Sequence, residues 1–192
     1  MERILDSIAL TSKISEPVLR KLTASLTPVS MAKRSLLISP MKKDTNVYFV
    51  EKGIARAFNV VDGKELTSWF SSEGELLYST NSFHGNTPGY ENETVQMLED
   101  SLIYSIPIAE LEILCAEYAE IANWLRMVHQ RAFVQMERRL IYRLYMSAEE
   151  RYKDFEDNHS ELFRRVNLGY IASYLGMSHV TLCALRKKKY FL

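Results

Sequence analysis

A chain of 192 residues, 47% hydrophobic and 25% charged, has the composition of an ordinary globular protein, with room for one large domain or two small ones. Its formal net charge is zero, so no whole-molecule field draws it to nucleic acid, and any such attraction must come from local asymmetry. No apolar run reaches the ~18 residues of a membrane helix, and the acid-bearing start MERILDSIAL lacks a signal-peptide core, so a cytoplasmic chain with no membrane partner is expected.

In chain order, Ser15 is placed to cap a helix with Pro17 in its first turn and Leu19, Leu22 and Leu26 on its inner face. Short runs rich in β-branched and aromatic residues follow: NVYFVEKG, IARAFNVV, KELTSWF, TVQMLED and SLIYSIP. Asp62-Gly63, between the second and third of these, supplies the positive φ angles of a tight hairpin. Several such strands over about 70 residues predict an antiparallel sandwich or jelly roll rather than a parallel sheet. Every proline lies at or before Pro107 and no glycine occurs between Gly89 and Gly169, so the second part of the chain reads as helical.

There Ile121, Leu125, Val128, Ala132, Met136, Leu140 and Leu144 recur at three- and four-residue spacing. They predict one helix from about Glu117 to Met146, roughly 40 Å long at 1.5 Å per residue. Trp124, Phe133, Ile141 and Tyr145 widen its apolar surface. A helix of that length pairs more plausibly with its own copy across a two-fold axis than it buries alone, which implies a homodimer.

Beyond it the charges separate. Residues Glu149 to Asp157 carry five acids against two bases, whereas Ser160 onward carries six bases and one acid. In YIASYLGMSHVTLCALRKKKYFL, Ile171 and Leu175 share a face, Ala172 allows a close helix crossing, Gly176 supplies a turn and Met177 can fill the gap behind it. Ser178 is placed to cap a last helix whose Leu182 and Leu185 point inward. Two readings stand at this point: a helix-turn-helix that holds DNA, or a helical bundle with a basic end that suits its own dipole.

The order of these parts resembles the Crp/Fnr family of bacterial transcription regulators over nearly the whole chain. The stretches that carry the resemblance are YFVEKGIARAFNVVDGKE, GEL at Gly74 to Leu76, and YIASYLGMSHVTL. The resemblance implies an α+β fold: an antiparallel, cyclic-nucleotide-binding-like jelly roll over residues 1–116, a dimerisation helix over 117–146 and a helix-turn-helix domain over 147–192. It further implies a cytoplasmic homodimer that binds double-stranded DNA and has no catalytic activity. The segment between long helix and reader looks all helical, so the β wing of better-known members is expected to be reduced or absent.

In nucleotide-binding members of that family the glutamate of a Gly-Glu pair meets the ribose and a nearby arginine neutralises the cyclic phosphate. Glu75 matches the glutamate, but no arginine follows. Between Lys64 and Arg126 there is no lysine or arginine, and His84 is the only basic residue of YSTNSFHGNTPGYENET. The candidate pocket is Gly74, Glu75, Leu76, Tyr78, Ser79 and Thr80, where a phosphate would depend on backbone N–H groups against several carboxylates. Three alternatives follow: an unknown small-molecule effector lying among Trp69, Phe70, Tyr78, Phe83 and Tyr90; those aromatics as plain barrel core; or a barrel that stays empty, with Glu75 capping a turn.

Other chemistries lack their residues. Cys115 and Cys183 have no zinc, cluster or redox spacing and read as small packing residues. One histidine, His84, in the β half cannot build a cupin-type metal site, and no cofactor is expected. For DNA the candidate contacts are Ser178, His179, Val180, Thr181, Ala184, Arg186, Lys187, Lys188 and Lys189. Where family members present arginine or glutamate to base edges, this chain has His179, Val180 and Ala184. Either these apolar groups meet thymine methyls while the cations hold phosphates, or the face has drifted and now contacts a protein partner. The missing arginine makes a direct prediction: calorimetry with cyclic AMP or cyclic GMP gives no micromolar binding, and micromolar affinity for either would contradict it.

Overall fold

The computed structural model of the chain describes residues 1–40, 42–78 and 93–189. The chain divides into two compact units, Met1–Asn59 with Trp69–Arg131 and Val60–Ser68 with Ala132–Leu192. The first begins with two helices, α1 (Glu2–Thr11) and α2 (Glu16–Ala24). Eight strands follow: β1 (Thr27–Met31), β2 (Leu36–Ile38), β3 (Asn46–Lys52), β4 (Ala55–Val61), β5 (Lys64–Ser71), β6 (Leu76–Leu77), β7 (Thr94–Met97) and β8 (Ser101–Pro107). They form two four-stranded sheets, ordered β1-β8-β3-β6 and β2-β7-β4-β5, with antiparallel pairing. This is the jelly-roll arrangement that the strand pattern predicts.

Period-2 alternation in β3 separates two cores. Val47 and Phe49 face a helical cluster with Ile4, Ile8, Leu22 and Leu111, while Tyr48 and Val50 face the barrel interior with Ala55, Ala57, Val95, Met97 and Ile103. Both faces of β3 are therefore buried. The hairpin between β4 and β5 turns through Asp62 (φ 51°) and Gly63 (φ 71°), the two positive angles expected of that pair.

No sequence pattern marked α1, β1, β2 or β6. β2 and β6 span three and two residues, too few to display a period, and β1 alternates poorly because its burial is only partial. α1 announces itself only through Ile4 and Ile8, one turn apart and both buried. Ser15 does stand at the start of α2, but its hydroxyl does not close that helix. It donates instead to Glu120 Oε1 at 3.0 Å, while the Ser15 N–H donates to Glu120 Oε2 at 2.5 Å.

Helix α3 (Ile108–Glu117) leads into α4 (Ala119–Tyr145), a helix of 27 residues that matches the expected long element within two residues at its start. Its first half is anchored in the helical core: Ile121 and Trp124 are fully buried, and the Trp124 ring stacks on Phe49 with centroids 5.9 Å apart. The boundary between compact units falls at Arg131, inside the helix. From there the apolar side chains lose their cover: Phe133 is 60% exposed, Met136 61%, Leu144 66% and Tyr145 82%.

In the second unit Ser147 and Glu150 form a reciprocal capping box at the start of α5 (Ala148–His159). After α6 (Leu162–Arg165) come α7 (Leu168–Leu175) and α8 (His179–Lys189). Tyr152, Phe155, Val166, Ile171, Ala172, Leu175 and Leu182 are buried, and Phe155 meets Phe163 and Tyr174 at centroid distances of 5.2 and 5.5 Å. Among the described residues no strand lies between α4 and α8, and no single helix is long and apolar enough to cross a membrane. Because the Phe49–Trp124 stack anchors α4 in the first unit, Trp124→Ala is expected to cost about 3–5 kcal/mol, read from the urea unfolding midpoint.

Candidate nucleic-acid interface

Helix α7 opens where the Asn167 side chain accepts from the Gly169 N–H at 2.7 Å. It closes at Gly176, whose φ of +68° lies in the left-handed region. The Gly176 N–H donates to Ser173 O at 3.2 Å and the Met177 N–H to Ala172 O at 3.0 Å. These are the paired bonds of a Schellman turn, which satisfy carbonyls that a helix end leaves open. The axes of α7 and α8 bend by 100° across the break, the geometry of a helix-turn-helix.

The nine residues proposed for DNA contact do not share one role. Ser178 caps α8: its Oγ accepts from the Thr181 N–H at 3.0 Å and lies 2.8 Å from Thr181 Oγ1. Leu182 is fully buried and Leu185 half-buried, so the opposite side faces outward. Val180, Ala184 and Lys187 are exposed there, Val180 by 77%, and His179 is exposed on one flank. The Cys183 sulfur lies 3.7–3.8 Å from the His179 ring nitrogens. Arg186 is half-buried over the Phe163 ring at 5.3 Å. Lys188 pairs with Glu149 at 3.1 Å, an exposed pair worth at most about 1 kcal/mol and easily exchanged for another anion. The side chain of Lys189 lies outside the described residues.

Two residues that no sequence signal singled out hold this unit together. The Ser173 hydroxyl accepts from the Thr67 N–H at 2.9 Å and donates to Glu65 O at 2.9 Å, so α7 is bonded to the tip of the β4–β5 hairpin. Arg151 donates from Nε to Leu175 O at 3.0 Å and from Nη1 to Met146 O at 2.6 Å, closing the ends of both α7 and α4.

In the first unit, Gly74 (φ +84°) packs its α-carbon towards α1, where a Cβ would come 3.0 Å from Ser7 Cβ. Glu75 is engaged with its own turn: the carboxylate accepts from the Ser72 N–H at 2.8 Å, and the Glu75 N–H donates to Ser72 O at 3.1 Å. Although part of the residue reaches solvent, burial raises its carboxyl above the ordinary 4.5, with Glu73 adding to the rise; hydrogen bonds from Ser72 and Ser71 oppose it. Leu76 and Tyr78 pack on the helical cluster, and Tyr78 meets His129 of α4 edge-on at 5.7 Å. Burial raises the Tyr78 phenol and lowers the His129 imidazole. Ser79, Thr80, Phe83, His84 and Tyr90 lie outside the described residues.

One buried cation carries no signal in the sequence. Arg56 in β4 is fully buried, its guanidinium 4.4 Å above the Phe58 ring. Ala55 and Ala57 on either side point into the barrel interior, so alternation puts Arg56 on the other face of the sheet. It therefore does not stand in for the missing phosphate-binding arginine. Among the described residues no group of three or more His, Cys, Asp or Glu side chains is placed to hold a metal ion.

No protein-family model and no curated protein matches the chain. Solved structures do. FixK2 from Bradyrhizobium japonicum superposes with a TM-score of 0.70 at 18% identity over 86% of this chain and 85% of that one. The c-di-GMP-responsive global regulator CLP of Xanthomonas campestris gives 0.70 at 14% identity over 92% of each chain. A protein of Eubacterium rectale described as a Crp/Fnr-family transcriptional regulator gives 0.68 at 14% identity over 91% and 83%. At such identities the likeness establishes the fold: a Crp/Fnr-type jelly roll with a helical C-terminal unit.

The raised Glu75 carboxyl has a consequence with a definite sign. Folding favours its protonated form, so this group's contribution falls as pH rises from the unfolded carboxyl's range through the folded one, and stays reduced at neutral pH. Glu75→Gln, which keeps an acceptor for the Ser72 N–H, is expected to raise the thermal midpoint at pH 7, with the gain vanishing as pH falls below 4.5. A gain that persists in acid would show that the charge is not its source.

Proposed function

We propose that a chain with this fold is a homodimeric, DNA-binding transcription regulator of the Crp/Fnr type, acting in the cytoplasm. The observation that carries this reading is the 100° helix–turn–helix with Gly176 at the bend and the exposed His179, Val180, Ala184 and Lys187 on its second helix. The exposed stripe Phe133, Met136, Leu140 and Leu144 on α4 repeats at coiled-coil spacing and supports pairing with a second copy. A two-fold axis along that helix pair would send two α8 helices into major grooves ~34 Å apart.

In the groove, Val180, Ala184 and the Thr181 methyl suit thymine methyl groups, while Lys187, and Lys188 once released from Glu149, suit phosphates. Such a reader favours A·T-containing sites and loses affinity steeply with salt. The barrel serves as a sensor for an effector other than cyclic AMP or cyclic GMP, or as a constitutive scaffold. An effector would act by shifting the helix pair between arrangements that do and do not fit DNA. The apolar exposure of Val180 favours one second reading, in which this face docks a protein instead.

Charge reversal separates the two. Lys187→Glu with Lys188→Glu is expected to weaken duplex binding on the order of tenfold or more at low salt and to flatten the salt dependence by about two units. Light scattering should find the dimer mass unchanged. Duplex binding that survives both substitutions would contradict the assignment of these lysines. A wild-type protein that binds no duplex would favour the protein-docking reading.

A further inference from the structure

Three guanidinium groups, none of them on α8, gather at the turn between α7 and α8. Arg143, near the end of α4, lies across Gly176: a Cβ at that position would come 2.8 Å from its Nη2 and 2.9 Å from its Nε. Arg139, one turn earlier, lies over the Tyr174 ring at 4.8 Å. Arg151 arrives from α5 with its bonds to Leu175 O and Met146 O.

Closing helix ends accounts for Arg151 but not for the other two. Among the described residues no carboxylate lies within ion-pair distance of Arg139, Arg143 or Arg151. Arg138, next in sequence, shows the usual arrangement, pairing with Asp154 at 2.5 Å. The chain has 24 acids for its 24 lysines and arginines, so cations without acids here are a local choice rather than a shortage. Burial lowers the Arg143 pKa, and the charges of Arg139 and Arg151 lower it further; Tyr174 alone opposes them. Arg143 remains exposed and Arg139 half-exposed, so an anion can reach both.

The position of the cluster indicates which anion. Gly176 precedes the capping Ser178 by two residues, so Arg143 lies beside the turn that leads into α8, with Arg139 and Arg151 at the last residues of α7 before it. In helix-turn-helix docking that end of the second helix enters the major groove, which brings the preceding turn to the sugar–phosphate edge. Planar guanidinium groups match phosphate oxygens bidentately. We propose that Arg139 and Arg143, with the remaining N–H groups of Arg151, form a seat for a DNA backbone phosphate at the edge of the groove that α8 reads. This inference rests on the DNA-binding reading. Gly176 thereby acquires a second role, since besides adopting positive φ it leaves the space that the Arg143 guanidinium fills.

Duplex binding by the full chain across a potassium chloride series, with one selected and one unrelated duplex, tests the seat. Arg143→Gln is expected to weaken both to a similar extent and to reduce the salt slope by about one unit; adding Arg139→Gln removes about one more. Arg138→Gln, which removes a cation already paired with Asp154, should leave the slope unchanged. If Arg143→Gln does not fold, Arg143→Lys keeps the charge without the planar fork and is expected to lose about threefold in affinity at an unchanged slope. An unaltered slope in a folded Arg143→Gln, or unaltered affinity in Arg143→Lys, overturns the seat while DNA binding stands. A wild-type chain that binds neither duplex overturns both.

Discussion

The last carbonyls of α7 must find donors, and most of the second unit follows from how they do. A left-handed Gly176 lets its own N–H and that of Met177 reach back to Ser173 and Ala172, and Arg151 supplies a donor for Leu175. That choice fixes the 100° bend, and the bend decides which side of α8 is buried under Leu182 and which is open. A non-glycine residue at 176 would be strained by the positive φ and would also displace Arg143. Ser173, on the last turn of the same helix, takes its hydroxyl out of local bonding and gives it to Glu65 and Thr67. Three separate segments of sequence thus converge on one short helix.

How much of this could be read in advance depends on the range of the contacts involved. Strands β3, β4, β5, β7 and β8 are legible because β-branched and aromatic residues crowd them and Asp62-Gly63 punctuates the hairpin. The long helix is legible because its period persists even where Phe133, Met136 and Leu144 have nothing to bury against within one chain. The helix-turn-helix is legible because one glycine and two buried leucines, Leu175 and Leu182, suffice to encode it. The roles of Ser173, Arg151 and Arg143 are not: Ser173 bonds Glu65, 108 residues away, Arg151 reaches Leu175, 24 residues away, and Arg143 lies over a glycine that presents no side chain to announce it. In sequence Glu75 looks like half of a nucleotide site, yet its carboxylate is engaged by the N–H of Ser72, three residues back.

The barrel and α8 depart in related ways from the pattern that the family resemblance implies, each short of an expected arginine. In the barrel no lysine or arginine follows Glu75, and Arg56, fully buried, sits on the far face of its sheet against Phe58. On α8 the outward positions carry histidine, valine and alanine, and Arg186 turns aside onto Phe163. Arginine is instead concentrated at the turn, where it suits a backbone phosphate rather than a base edge. If α8 reads DNA as proposed, charge would supply most of the affinity and methyl contacts and shape the selectivity, giving modest specificity and steep salt dependence.

The most direct test of DNA reading by this chain is selection from random duplex DNA by the purified full-length protein without added ligand, followed by sequencing of the retained pool. An enriched two-fold symmetric motif is expected, its half-sites centred about one helical turn apart and marked by A·T pairs where Val180 and Ala184 meet the groove. A pool that stays random at low salt, from a protein shown to be folded and dimeric, would contradict it.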